Sequence, residues 1–382
     1  MQKIFEPLTF NRGPSLKNRF VLAPLTNQQS HEDGLCSEDE YNCLVKRAEG
    51  GFGLTMTCAA HVQKEGKGFA GQLGIFSDDH IEGLTKLARG IKNNDSVAIA
   101  QLYHGGMRSP ETVTGVQPVS CMDNDKYEAR AMSTQEVKET INAFVEAAWR
   151  AEQAGFHGIE LHGAHGYLLA QFLSPELNNR DDQYGGSMIN RHRMVLEIIE
   201  KVREKCSADF IVGLRLSSER FGLDLPEIIE LVKSIFSNQL VEFLDMSLWD
   251  VFKNAEHPNF KSRSLLSIFT ELDRKNVRLG AAGKIMTAED VERAMAEGLD
   301  WVMLGRAAIL HHNYPKLIEK DPHFIPVKTP VSSDYLRNEG LGPKFIEYMT
   351  AWKGFVEGSE GFVDFESLSA EKISWPGKSG NN

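Results

Sequence analysis

Short runs of apolar and β-branched residues recur along the chain, separated by stretches of helical periodicity. Eight stand out: Phe20–Pro24, Gly53–Ala59, Val97–Leu102, His157–His162, Ile211–Ser217, Glu242–Ser247, Val277–Gly283 and Trp301–Arg306. Their alternation with helical patterns reads as βα units laid into a parallel sheet. Glu136–Ala154, Asn190–Lys205, Glu227–Ser237 and Ala288–Glu297 read as helices covering that sheet, polar faces outward. Ser37, Ser133 and Thr287 each stand three residues before a carboxylate (Glu40, Glu136, Asp290), the pattern of a capping box. Eight such units predict an α/β fold, the (β/α)8 or TIM barrel, and 382 residues accommodate one barrel with insertions.

Two stretches exceed a minimal barrel. Tyr103–Met132 carries Gly105, Gly106, Pro110, Gly115 and Pro118, and reads as a lid excursion over the barrel mouth after the third strand. Residues 326–382 read as a C-terminal extension to a barrel spanning residues 1–325. One helix is expected near Pro343–Trp352, and disorder at the last residues.

Composition narrows the class. With 41% hydrophobic and 25% charged residues, the chain suits a large buried core. The net charge of −11 is spread without a long acidic or basic run, so neither nucleic acid nor a membrane surface is an expected partner. Met1–Phe10 lacks a secretion-signal pattern and no run approaches the ~20 apolar residues of a membrane span, so a cytoplasmic location is expected. The five cysteines include no C-x-x-C, which favours reduced structural thiols over a disulfide framework, zinc or an iron–sulfur cluster.

In such a barrel the strand ends and the loops after them form the active face. Here those ends are polar: Pro24-Leu25-Thr26, Gln101, His162, Arg215, Gly283 and Gly305-Arg306. That set suits a large planar ligand with a phosphate. Gly283 and Gly305 would let backbone N–H groups approach the phosphate after strands seven and eight, with Arg306 adding a fork of donors. Relief of tight turns explains the same glycines without a ligand.

Arg215 lies in an apolar run, Ile211–Leu216, where an unpaired guanidinium carries a heavy desolvation cost. Its partner is either the oxygen-rich edge of a flavin, which Gln101 can also engage, or an internal ion pair with Asp245 or Glu160. His162-Gly-Ala-His165-Gly-Tyr167 sets two imidazoles to converge on a metal ion or on one ligand oxygen; the metal reading lacks a third partner at close spacing.

The block around these histidines resembles the Old Yellow Enzyme family. It comprises His162-Gly-Ala-His165-Gly-Tyr167-Leu-Leu, Gln171-Phe-Leu-Ser-Pro, Asn179-Arg180-Asp-Asp182-Gln-Tyr184-Gly-Gly-Ser187 and Asn190-Arg191. Leu16-Lys-Asn-Arg19, Ala23-Pro24, Gln101-Leu and Leu304-Gly305-Arg306 extend the resemblance over about residues 4–315. The resemblance implies FMN as cofactor and NADH or NADPH as reductant. It places Pro24, Thr26, Ala59, Gln101, His162, Arg215, Gly283, Lys284, Gly305 and Arg306 around the flavin. It further implies hydride transfer to the β-carbon of an activated alkene, an α,β-unsaturated carbonyl or nitro compound. His162 and His165 would polarise the acceptor oxygen, and Tyr167 would protonate the α-carbon. The Arg180–Ser187 block reads as a structural buttress.

Four positions depart from family patterns. Thr26 stands where one subgroup has a redox-tuning cysteine, Gln28 where it has tyrosine, His165 where another subgroup has asparagine, and Tyr103 where many relatives have tryptophan. Two other classes remain open: a metal-dependent barrel hydrolase built on His162, His165 and His104, and a flavin-binding storage or regulatory protein that passes no electrons. A homo-oligomer is compatible with all three.

Overall fold

All eight apolar runs form strands, and every adjacent pair is parallel. The computed structural model describes residues 2–363. The strands are β1 (Phe20–Leu22), β2 (Leu54–His61), β3 (Val97–Tyr103), β4 (Gly158–Gly163), β5 (Ile211–Ser217), β6 (Phe243–Ser247), β7 (Arg278–Ala282) and β8 (Trp301–Leu304). Each pairs with its neighbour in sequence, and β1 pairs with β8, so the sheet closes as a barrel.

Several strand ends differ from the expectation, for local reasons. β1 stops at Leu22, because Pro24 has no N–H to give to the ladder. β2 continues past Ala59 to His61, with a register shift between Met56 and Ala59. β7 stops at Ala282, since Gly283 turns out of the sheet at φ 153°. β8 ends at Leu304, which leaves Gly305 and Arg306 in the turn that follows. Thus Pro24, Gly283, Gly305 and Arg306 lie just beyond the strands and not within them.

The helices follow the apolar periodicity: α1 (Glu38–Glu49), α2 (Ile81–Lys92), α3 (Thr134–Gln153), α4 (Met188–Lys205) and α5 (Leu225–Ser237), with Ala288–Ala296 between β7 and β8. Ser133 and Thr287 close full capping boxes with Glu136 and Asp290. Ser37 caps α1, but Glu40 does not return the bond. Its carboxylate turns into the protein toward Ser30 and Asn27, and burial pushes its pKa up.

Large apolar side chains fill the foot of the barrel, among them Leu54, Ile99, Ile211, Phe243, Trp301 and Met303. An N-terminal bridge between Leu8 and Leu16 closes that end, and Phe10 packs 6.1 Å from Phe243 and 5.8 Å from Trp301. The opposite end is left for polar groups. Beyond β8, Leu336, Leu341, Phe345, Ile346, Met349 and Phe355 pack against Cys43 of α1 and against Ile309 and Leu310. The helix expected near Pro343–Trp352 spans Pro343–Thr350. The disorder expected at the last residues falls outside the described residues. No helix among the described residues is long and apolar enough to cross a membrane.

The excursion after β3 is more ordered than its glycines and prolines suggest. It holds a short helix, Glu111–Thr114, and a two-stranded parallel ladder pairing Val119–Ser120 with Arg130–Ala131. Arg180 ties it down, donating to Cys121 O at 2.9 Å and Met132 O at 2.6 Å while forking onto Asp182 at 3.0 and 2.6 Å. Asp182 also accepts from Thr134 at the start of α3. Arg180→Ala strands two carbonyls and a carboxylate, so a stability loss of roughly 2–4 kcal/mol is expected as a shifted urea midpoint with unchanged slope. Hydrogen bonding to Arg180 holds the Asp182 carboxyl down to about 2 from 3.8. Its contribution is therefore complete above 3.8 and is lost as pH falls toward 2, where wild type and Asp182→Asn should converge in stability.

Candidate active site

A cleft opens at the carboxyl ends of the strands, between the loops after β1, β6, β7 and β8. Seven of the ten residues expected around the flavin line it: Pro24, Thr26, Arg215, Gly283, Lys284, Gly305 and Arg306. Gln101 and His162 are buried, and with Ala59 they stand outside this lining. Gly283 has a structural reason as well as a position. A Cβ there would lie 2.8 Å from the carbonyl carbon of Trp249 and 2.9 Å from Asp250 N, so only glycine lets the β6 and β7 loops pack together.

Arg215 crosses from the apolar strand to the cleft. Its Nη2 donates to Ser247 Oγ at 3.3 Å, while Nε is buried without a partner. The internal ion pair weighed from sequence does not form with either carboxyl; Glu160 and Asp245 instead accept from Gln101 and Trp301. An unpartnered guanidinium N–H beside a cleft suits an electron-rich ligand.

His162, His165 and Tyr167 converge behind the cleft wall, which His165 reaches through its bond to Ser247. Ring centroids are 5.0 Å apart for the two histidines, 5.1 Å for His162 and Tyr167, and 6.3 Å for His165 and Tyr167. The hydrogen bonds assign the imidazole protons. His162 Nδ1 accepts from Ala164 N–H at 3.3 Å, so its proton is on Nε2, which faces His165 Nδ1 at 3.3 Å. His165 then carries its proton on Nε2 and donates to Ser247 Oγ at 2.6 Å. Burial, then the positive charge of Arg215, holds both imidazoles well below their ordinary pKa, so both are neutral. His165 O accepts from Arg108 Nη1, whose guanidinium lies 4.9 Å over the Tyr167 ring. The turn needs φ 60° at His165 and 69° at Gly166, and a Cβ on Gly166 would press on Phe221 at 2.9 Å.

His104 does not join the pair. It is buried, with Nδ1 accepting from Gly106 N–H at 3.0 Å. Among the described residues no three His, Cys, Asp or Glu side chains form a group suited to a metal ion.

Sequence reasoning missed Ser247, Trp249 and Met303 in the cleft wall, and Tyr348, Met349 and Trp352 from the C-terminal extension. Ser247 ends a strand as His162 and Arg215 nearly do, so the strand-end criterion reaches it; the extension residues carry no motif.

Burial holds the His104 imidazole down to about 3 and that of His61 to about 4, from 6.5. With His162 and His165 they bind no proton in the folded state at mildly acid pH, whereas the unfolded chain does. Stability should therefore fall as pH drops below about 6.5, and melting curves on His104→Asn should show a shallower decline.

The chain matches the family model described as NADH:flavin oxidoreductase / NADH oxidase over residues 3–323. It is 37% identical over 322 residues to the probable NADH-dependent flavin oxidoreductase YqiG of Bacillus subtilis, covering 81% of this chain and 86% of that protein. It is 32% identical to the NADH:acrylate oxidoreductase of Vibrio harveyi over 81% of this chain, which spans only 32% of that longer protein. The old yellow enzyme homologue of Zymomonas mobilis superposes with a TM-score of 0.74 at 25% identity, over 91% of this chain and 99% of that one. The cofactor that follows is FMN, and the cleft fits it: Arg215, Lys284 and Arg306 surround it with positive charge, and the buried Arg215 Nε faces no protein acceptor. The chain therefore belongs to the NADH:flavin oxidoreductase / NADH oxidase family, the Old Yellow Enzyme type, as an NAD(P)H-dependent flavin oxidoreductase.

Proposed function

We propose that this chain is an ene-reductase: it takes hydride from NADH or NADPH and delivers it to the β-carbon of an α,β-unsaturated carbonyl or nitro compound, with Tyr167 supplying the α-carbon proton. The convergence of His162, His165 and Tyr167 beside Ser247 of the cleft wall carries this reading. Likeness to a protein named for acrylate, an alkene conjugated to a carboxylate, supports the same acceptor class. Bound FMN supplies the hydride relay between nicotinamide and acceptor.

The protein's own part is to bind, orient and protonate. Arg306 and Lys284 would hold the phosphate with the backbone at Gly283 and Gly305, Pro24 and Ala59 would border the flavin, and Thr26, Gln101 and Arg215 would engage its polar edge. His162 and His165, both neutral, are N–H donors. An acceptor oxygen entering the site replaces Ser247 Oγ as the partner of His165 Nε2, and a small turn of His162 redirects its Nε2–H from His165 to the same oxygen. Those two donors stabilise the negative charge that develops there. The Tyr167 hydroxyl then protonates a carbanion-like carbon far more basic than a phenolate, and the Arg108 guanidinium over its ring favours the charge left behind.

We further take residues 1–325 as the FMN-binding barrel and 326–382 as an extension whose Tyr348 and Trp352 shape the acceptor end. The reaction is assigned to the cytoplasm, and a homo-oligomer is compatible with the assignment.

Tyr167→Phe should leave anaerobic flavin reduction by NADH or NADPH unchanged and slow reoxidation by 2-cyclohexenone roughly 10²–10⁴-fold, the usual worth of a general acid. Stopped-flow absorbance separates the two steps. A flavin that nicotinamides fail to reduce in the wild type would favour the storage reading instead. Arg306→Ala should weaken FMN about 10–100-fold in a fluorescence titration, the loss of one charge-assisted phosphate contact.

A further inference from the structure

Beneath the cleft lies a polar group that neither cofactor contact nor proton delivery uses. Glu160 of β4 and Asp245 of β6 are fully buried inside the barrel. Glu160 Oε1 accepts from Gln101 Nε2 at 2.6 Å, and Asp245 Oδ1 accepts from Trp301 Nε1 at 2.8 Å. One oxygen on each carboxyl, Glu160 Oε2 and Asp245 Oδ2, is left buried without a donor. The two carboxyl groups are near enough for each to act on the ionisation of the other. Two carboxylates are acceptors only, so they satisfy one another only with a proton between them.

The barrel is shaped around this pair. A Cβ on Gly280 of β7 would lie 1.8 Å from Trp301 Nε1 and 2.1 Å from Asp245 Oδ1. Strand interiors rarely keep glycine unless something must approach closely. The surrounding charges are few: Arg215 from β5 acts on both carboxyls, its Cα in register between those of His162 and Asp245, while His162 and His165 are neutral. Burial, the largest influence, raises the pKa of both carboxyls, and the charge of Glu160 raises that of Asp245 further.

We propose that Glu160 and Asp245 share one proton, carried on Asp245 Oδ2 and donated to Glu160 Oε2, and that the pair acts as a positioning element under the flavin. It fixes the Gln101 amide and holds the charge below Arg215 at one negative. With both groups ionised, two negatives would offset Arg215 and oppose the negative charge that reduction places on the flavin edge. This holds whichever acceptor the enzyme uses.

Infrared spectroscopy of the holoenzyme tests it. A protonated-carboxyl band is expected to persist through pH 5 to 9, to shift on carbon-13 labelling of aspartate, and to vanish in Asp245→Asn. Labelling aspartate excludes Glu40, the other carboxyl pushed up by burial, and needs no variant to fold. Asp245→Asn mimics the protonated form, so the midpoint potential of bound FMN should match wild type, whereas Asp245→Asn with Glu160→Gln should raise it. Absence of an aspartate-sensitive band, or a raised potential in Asp245→Asn alone, overturns the proposal.

Discussion

A closed barrel of parallel strands has a single interior, and the contest over what fills it governs the rest of this molecule. At the foot, Phe243, Trp301 and their apolar neighbours fill it completely, and Phe10 seals the end. Higher up, Gln101, Glu160, Arg215 and Asp245 enter the same space, where each polar atom must find a partner or carry a desolvation cost of several kcal/mol. Protein groups satisfy most of them. Among these four residues the N–H without a protein partner is Arg215 Nε, and Arg215 lines the cleft. The position of the ligand site is thus a by-product of how the interior is divided between apolar packing and hydrogen bonding.

Much of the architecture was legible because the signal is periodic. Apolar runs covered on both faces and capped amphipathic helices announce a parallel sheet, and Ser133 and Thr287 close the boxes their spacing suggests. Glu40 shows where that reasoning stops. Its position relative to Ser37 is right, yet burial beside Ser30 and Asn27 outweighs the exposed cap bond. Strand ends were misplaced wherever a residue that suits the ligand, such as Gly283 or Arg306, follows an apolar run directly; hydrophobicity marks the run but not the residue at which the ladder breaks.

The site was readable to the extent that its chemistry is clustered in sequence. His162, His165 and Tyr167 lie within six residues, and a turn with left-handed backbone at His165 and Gly166 gathers them. Their hydrogen-bond directions were not readable, because the proton on His162 Nε2 is set by the amide of Ala164 and that on His165 Nε2 by Ser247, a strand-end residue 82 positions further on. The alternatives for Arg215 likewise needed coordinates, since either carboxyl is a plausible mate until the guanidinium is seen to bond Ser247 instead.

The cleft is walled by segments of unequal burden. Gly283 is fixed by the close approach of the β6 and β7 loops and Arg215 stands within β5, whereas Tyr348 and Met349 sit on the helix Pro343–Thr350, with Trp352 just past its end, and that helix packs beside the barrel through Phe345, Ile346 and Met349. Substitution, insertion or exchange of that helix alters the shape of the entrance while leaving the redox machinery intact. Such a layout lets a lineage vary which molecules it admits at little risk to the chemistry performed on them.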